Sequence, residues 1–256
     1  MSDRSQDIVI RESAPGDAAQ LVTLWHEVFG DPRALVESYL SLLPSMGTGC
    51  VAERSGQILG AAYLIHGFTL CCLGSAPQRC GYLYAVAVSE GARGCGLGTA
   101  VSRGAAELGR QHGIDLLCTL PAEESLYRWY ADILSLRCRS TRTRYTCKEL
   151  PAVASLSSEE YLRIRETLLL DLPHAAPNSA VMAYQEQLCK AYGGGLYRFD
   201  EGILCAYRED DHYLVLELLL FDPAQPAPEI FVPKTSSYLC SDHSFPDGLI
   251  WNLTLD

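Results

Sequence analysis

The 256-residue sequence predicts an α/β chain of the α+β type: a mixed, largely antiparallel sheet flanked by helices, followed by a smaller α+β domain. Three stretches carry that expectation. GCVAERSGQILGAAYLIHGFTL reads as two strands around the turn Arg54-Ser55-Gly56. QRCGYLYAVAV reads as a strand that runs into a glycine-rich turn and then a helix. LYRFDEGILCAYREDDHYLVLELLL reads as three more strands, with turns at Asp200-Glu201-Gly202 and Glu209-Asp210-Asp211.

The remaining elements follow from period and punctuation. DIVIRE is a short opening strand, and Ser13 or Asp17 can cap the helix behind it. In that helix Leu21, Leu24, Trp25 and Val28 recur at helical spacing, and Gly30 stops it. A second helix reads PRALVESYLSLLP, with Pro32 at its start and Pro44 past its end. After the glycine turn, Leu97, Ala100, Val101, Ala105 and Leu108 share one face of a helix over residues 97–112. IDLLCTLP is a buried-type strand, EESLYRWYADIL a short helix and RCRSTRTRYTCKEL a strand with its arginines on an exposed face. Beyond Pro151, SEEYLRIRETLLLD and VMAYQEQLCKAYGGG are helices joined by a linker, PHAAPNSA, and LIWNLTLD is a last strand. The boundary is expected at residues 1–149 and 150–256.

Composition narrows the function. With 31 acidic against 20 basic residues and a net charge of −11, the chain is ill suited to nucleic acid or to anionic membrane surfaces. It has 11 cysteines, an odd number, and no C-x-x-C. Most sit singly in apolar runs, as buried free thiols do, which argues against a disulfide framework and a zinc site and for a reducing, cytoplasmic setting. The start lacks the apolar core of a signal peptide, and no run is long enough to span a membrane.

The chemistry concentrates in SEGARGCGLGTAV, residues 89–101. A dinucleotide-binding G-x-G-x-x-G fails because Thr99 stands at the third glycine, and a phosphate-binding P-loop fails because Leu97 replaces its lysine. What remains is a strand followed by Arg93-Gly94-Cys95-Gly96-Leu97-Gly98 at the opening of a helix. Glycines let main-chain N–H groups converge, and the helix N-terminus adds positive potential, so an anion such as a diphosphate fits there. Glycines at such a turn can also serve geometry alone.

This pattern, [Q/R]-x-x-G-x-[G/A] between a strand and a helix, resembles the GNAT superfamily of acyl-CoA-dependent N-acyltransferases. The likeness extends from residue 7 to about 148, through IVIRESAPGDAAQLVTLW, the hairpin, LYAVAVSEGARGCGLGTAV and ESLYRWYADIL. It implies acetyl-CoA as co-substrate, with the diphosphate on Arg93, Gly94, Cys95, Gly96, Leu97, Gly98 and Thr99. It also implies pairing of the pantetheine arm with Val86, Ala87 and Val88, and Val86 N–H as the oxyanion donor. No metal is called for. Tyr130, behind Trp129, matches the tyrosine of the F-Y-x-K-x-G-F pattern and so the general acid, with Tyr127 as its alternative; the Gly-Phe is missing in Y-A-D-I-L-S. Glu90, Glu123 and Glu124 are the carboxylates near enough in sequence to serve as base, and a water chain would do instead. His66 and His112 read as structural, and Cys95 as a small side chain in the loop.

The resemblance thus implies transfer of an acetyl group to a primary amine of a small acceptor. The alternative is a non-catalytic acyl-CoA-binding or sensing protein, and a third reading is an interaction domain with a structural turn. The second half has no comparable glycine loop and loosely repeats helix, hairpin and strand, which suggests a degenerate GNAT-like half and leaves room for a homodimer.

Overall fold

Antiparallel pairing begins with the first strand. The computed structural model describes residues 8–72, 74–114 and 116–240, with backbone alone at residues 138–140, so the strand expected at LIWNLTLD lies outside it. Two compact units divide the chain. Among described residues, the first holds 8–67, 79–114, 116–138 and 239–240, and the second holds 68–72, 74–78 and 139–238.

In the first unit, β1 (Ile8–Glu12) pairs antiparallel with β2 (Gly47–Arg54), and β2 with β3 (Gln57–Cys71). The β2–β3 turn needs two left-handed residues, and Ser55 (φ 51°) and Gly56 (φ 83°) supply them, the twist that a two-residue hairpin favours. β4 (Gln78–Val88) and β5 (Leu116–Thr119) run parallel because α3 (Leu97–Gln111) crosses between them. The last residues of β12 (Val232–Cys240) close the far side: Leu239 and Cys240 pair with Thr119 and Cys118.

Two helices precede β2. In α1 (Ala18–Phe29), Leu21, Val22, Leu24 and Trp25 are buried, and Gly30 ends it at φ 80°. Asp17 stands at its N-cap position, as expected, but its side chain makes no capping hydrogen bond. The Asp17 carboxylate is occupied by a two-pronged contact from Arg11, at 2.7 and 2.9 Å, and by the Ala14 N–H. α2 (Arg33–Met46) begins after Pro32, but Pro44 lies inside it. Its missing N–H forfeits only one bond in the final turn, so the helix continues two residues past it. α4 (Glu124–Leu134) follows β5, and its left-handed C-cap is Ser135 (φ 58°), one residue past Leu134, which stands where the pattern carries glycine.

In the second unit the strand order is β12, β6 (Cys138–Cys147), β11 (His212–Leu220), β10 (Gly202–Glu209), β9 (Gly195–Phe199) and β7 (Ala154–Ser155). The turns expected at 200–202 and 209–211 join β9 to β10 and β10 to β11. The arginines of β6 do not all face solvent: Arg142 and Arg144 are buried, and Arg142 Nε donates to Ser236 Oγ on β12 at 3.0 Å. A cross-strand partner, absent from any local pattern, draws Arg142 inward. The stretch PHAAPNSA is no linker. His174–Pro177 forms β8 and pairs with the end of β3, Phe68 to Cys71. Ser157, in a capping box with Glu160, starts α5 (Ser158–Leu168), and Asn178 caps α6 (Ser179–Ala191).

A ladder of charges runs through this unit. Tyr161 O–H donates to Glu217, which accepts Arg165 Nε at 3.0 Å, both residues of that pair being 0% exposed. Arg165 Nη1 reaches Glu166 at 2.6 Å, and Glu166 accepts His174 Nε2 at 3.0 Å while His174 Nδ1 faces the Leu172 carbonyl. Both imidazole nitrogens therefore face acceptors, which favours the imidazolium, and the Glu166 hydrogen bond raises the His174 pKa above its usual 6.5. A raised folded-state pKa means the stabilisation is fully present below the unfolded value near 6.5 and is lost as pH rises through the folded value. His174→Gln should therefore lower the melting temperature most at pH 5.5–6. The gap from wild type should shrink at pH 9, at about 2–4 °C per kcal/mol lost. Melts of the two proteins at both pH values check this. A gap that widens with pH would contradict it.

Candidate functional site

Strand β4 carries the site because it outruns its neighbour. Its parallel pairing with β5 ends at Leu83–Thr119, with the Thr119 hydroxyl donating to the Leu83 carbonyl at 3.0 Å. β4 continues five residues further, Tyr84 to Val88. At Ala85 the backbone takes φ 48°, a left-handed conformation that costs an L-residue about 1–2 kcal/mol. The turn resets the side-chain alternation. Leu83 packs in the core beneath α3, and so do Val86 and Val88, whereas strict alternation from Leu83 would point Val86 to the other face. Val86 and Val88 are half-buried and Ala87 is buried.

The loop behind β4 is built to expose main chain. A 3-10 turn over Glu90–Ala92 is closed by Ala92 N–H to the Ser89 carbonyl at 2.9 Å. Arg93 then donates Nε back to the Val88 carbonyl at 3.3 Å and is otherwise exposed. Gly94 and Gly96 both require positive φ, 76° and 78°, and a side chain at either would meet nothing within 4 Å. Open space above a left-handed backbone is the form of a cradle. Gly96 is also the N-cap of α3 and carries no capping side chain. The first N–H groups of α3, at Leu97, Gly98 and Thr99, have no partner within the helix by its geometry. Positive potential at the start of this 15-residue helix thus meets an exposed, glycine-lined surface. Leu97 anchors the turn in the core, and Cys95 is exposed.

α4 borders this loop. A side chain at Gly98 would lie 3.5 Å from the Trp129 ring. Tyr130 is 8% exposed and packs in the cluster that holds Leu83 and Leu97, with the Trp129 ring centroid 4.6 Å away. Burial pushes its phenol up to about 12. Tyr127 is half-buried on the same helix. Arg103 Nε donates to the Ile133 carbonyl at 3.1 Å and ties α3 to α4. Glu90, Glu123 and Glu124 are exposed. His66 and His112 stack with ring centroids 5.5 Å apart, and burial beside His112 and Arg79 lowers the His66 pKa.

The chain therefore gathers Val86–Val88, Arg93–Thr99 and Trp129–Tyr130 around one strand end. Sequence reasoning missed the bend at Ala85, which no glycine announces, and the Arg103 tie. It also gave no role to the aromatic residues Trp25, Phe29, Tyr39, Tyr63, Tyr82 and Tyr84, of which Trp25 alone was placed on the apolar face of its helix. A separate cavity of about 820 Å³ in the second unit, lined by Lys148, Asp211, His212 and Ile230 among others, includes none of the loop residues. It is a broad surface groove, and the chemistry is argued at the loop. Among the described residues no group of three or more His, Cys, Asp or Glu side chains is placed to hold a metal. No described helix is long and apolar enough to cross a membrane.

Comparison with known proteins is consistent with this geometry. Residues 19–133 match the family model described as Acetyltransferase (GNAT) family. No curated protein matches the chain. Among solved structures, a GCN5-related N-acetyltransferase from Kribbella flavida aligns with a TM-score of 0.65 and 14% identity, over 93% of this chain and 72% of that one. A protein of unknown function from Enterococcus faecalis V583, titled a candidate N-acyltransferase, aligns at 0.64 and 11%, over 91% and 72%. A candidate acetyltransferase from Pyrococcus horikoshii aligns at 0.61 and 15%, over 96% and 93%. At these identities the likeness is one of fold.

Proposed function

Because residues 19–133 match the GNAT acetyltransferase family model, we propose that the protein is an N-acetyltransferase that moves the acetyl group of acetyl-CoA to a primary amine of a small acceptor. The observation that carries this reading is the uncapped start of α3 behind Gly94 and Gly96, beside the stretch of β4 left unpaired by β5. A diphosphate on the Arg93–Thr99 main chain would bring a pantetheine arm alongside Val86, Ala87 and Val88, added to the sheet as an extra strand.

In this mechanism the neutral amine nitrogen attacks the thioester carbonyl. A C–N bond forms and the C–S bond breaks. Val86 N–H, turned by the bend at Ala85, stabilises the developing oxyanion. The amine loses one proton to solvent through a water chain, and the CoA thiolate gains one from Tyr130. Support for Tyr130 is its protonation state: with a pKa of about 12 the phenol keeps its proton throughout the working range. Tyr130→Phe is expected to lower kcat by about 10²-fold or more while the Kd for acetyl-CoA stays unchanged. The wild-type rate should show no falling limb below pH 10. A variant with full kcat would remove Tyr130 from the mechanism.

The test of the whole reading is mass-spectrometric detection of acetylated product from acetyl-CoA and a panel of primary amines. The non-catalytic acyl-CoA-binding alternative is favoured by one observation, that Glu90, Glu123 and Glu124 are all exposed and none is set as a base. Acetyl-CoA binding without product would establish it. The remainder of the proposal is a degenerate GNAT-like half at 150–256, supported by α5 and α6 packed with the β9–β10–β11 meander. A cytoplasmic site of action, supported by the absence of a disulfide among the described cysteines, completes it.

A further inference from the structure

Six aromatic rings of the first unit meet on one face of the sheet. Trp25 on α1 contacts Tyr39 on α2, Tyr63 on β3 and Tyr84 on β4, with ring centroids 4.8, 5.2 and 5.6 Å away. Tyr82 stacks on Tyr84 at 5.8 Å, and Phe29 meets the Trp25 indole edge-on at 5.8 Å. Trp25, Tyr39, Tyr63 and Tyr82 are buried, which is ordinary core packing. The other two are not: Tyr84 is half-buried and Phe29 is 45% exposed. Both of these partly open rings touch the Trp25 indole, and Tyr84 immediately precedes the bend at Ala85. The indole is held in place there, its Nε1 donating to Asp31 at 2.7 Å.

Resting on the acetyltransferase reading above, we propose that the acceptor is a primary amine joined by a short tether to an aromatic ring. The ring seats against Phe29 and Tyr84, and the amine reaches the carbon held at Val86, two residues beyond Tyr84. Aromatic walls offer a planar body offset stacking and edge contacts that an extended polyamine cannot use. They also desolvate the ammonium, which lowers its pKa and favours the neutral nucleophile where no carboxylate base is set. A polycationic acceptor needs several free carboxylates instead, and the Asp31 oxygen nearest these rings already accepts the indole N–H.

The experiment compares 2-phenylethylamine and tryptamine with n-butylamine and spermidine at fixed acetyl-CoA, reading acetylated product by mass spectrometry because exposed Cys95 would react with thiol dyes. The aromatic amines should have kcat/KM at least 10-fold above the other two. Phe29→Ala, at an exposed position, should raise KM for 2-phenylethylamine at least 5-fold and leave the acetyl-CoA Kd unmoved. A preference for spermidine or n-butylamine overturns this inference alone, as does an unchanged KM in Phe29→Ala that melts like wild type. Absence of acetyl-CoA binding in calorimetry overturns the acetyltransferase reading and this inference with it.

Discussion

Gly96→Glu is expected to abolish acetyl-CoA binding while the protein stays folded. Two separate effects must be weighed. The first is conformational: Gly96 sits at φ 78°, so any L-side chain there is strained by about 1–2 kcal/mol. The second is at the ligand. A Cβ at this position meets nothing within 4 Å, so the glutamate projects into the space that the diphosphate would occupy. It places negative charge at the N-terminus of α3, against an anion that needs the same N–H groups. Loss of those hydrogen bonds together with charge repulsion should weaken binding by at least 100-fold, or about 2.7 kcal/mol. Gly96→Asn separates the two effects. Asparagine tolerates the left-handed region and brings no charge, so it should retain much more affinity than the glutamate. Isothermal titration of acetyl-CoA into the three proteins, each checked by a thermal melt, decides. Wild-type affinity in a folded Gly96→Glu would move the nucleotide off this turn. No binding to the wild type would leave the glycines a purely structural role.

The largest effect on stability is expected from breaking the Arg165–Glu217 pair. Both side chains are 0% exposed, and Arg165 Nε lies 3.0 Å from the carboxylate. Burial alone lowers the guanidinium pKa, yet the facing carboxylates outweigh burial and hold it above the ordinary value. Removing Arg165 leaves the Glu217 carboxylate uncompensated in a dry interior, and removing Glu217 leaves Arg165 with Glu166 alone; breaking a buried pair costs about 3–5 kcal/mol. Glu217→Leu should therefore lower the urea midpoint sharply. It also strands the Tyr161 hydroxyl, which donates to the same carboxylate. The double replacement Arg165→Met with Glu217→Leu should recover most of the loss, because two apolar side chains of similar size remove the desolvation penalty with the pair. Urea titrations of the two single variants and the double variant measure the coupling directly. Additive losses in the double variant would mean that the pair contributes nothing as a pair.

What could be read from residues alone was local. Ser55-Gly56 announces its hairpin because a two-residue turn demands left-handed backbone. Gly94 and Gly96 announce the turn between β4 and α3, because its left-handed backbone, φ 76° and 78°, favours glycine. Ser157 with Glu160 announces a helix start. What escaped was decided by partners far along the chain. Arg165 and Glu217 are 52 residues apart, and nothing in RIRETL marks an arginine that will be buried. PHAAPNSA looks like a connector until β3 offers an unpaired edge at Phe68–Cys71. The bend at Ala85 is set by what packs on each face of β4, and an alanine gives no sign of it. Pro44 was placed outside its helix by a rule about interior prolines that a final turn can evade.

The pairing of Leu239 and Cys240 with β5 has a consequence for how the protein is made. The sheet that carries the glycine loop takes its last strand from about 100 residues beyond Cys138. Leu239 follows Thr119 by 120 residues, so at about 5–20 residues per second of synthesis β5 waits on the ribosome with one edge bare for roughly 6–24 seconds. Through that interval the nascent chain has its loop but an unfinished sheet, and an exposed strand edge is what chaperones and stray strands bind. A chain released at residue 149 would stay in that condition permanently.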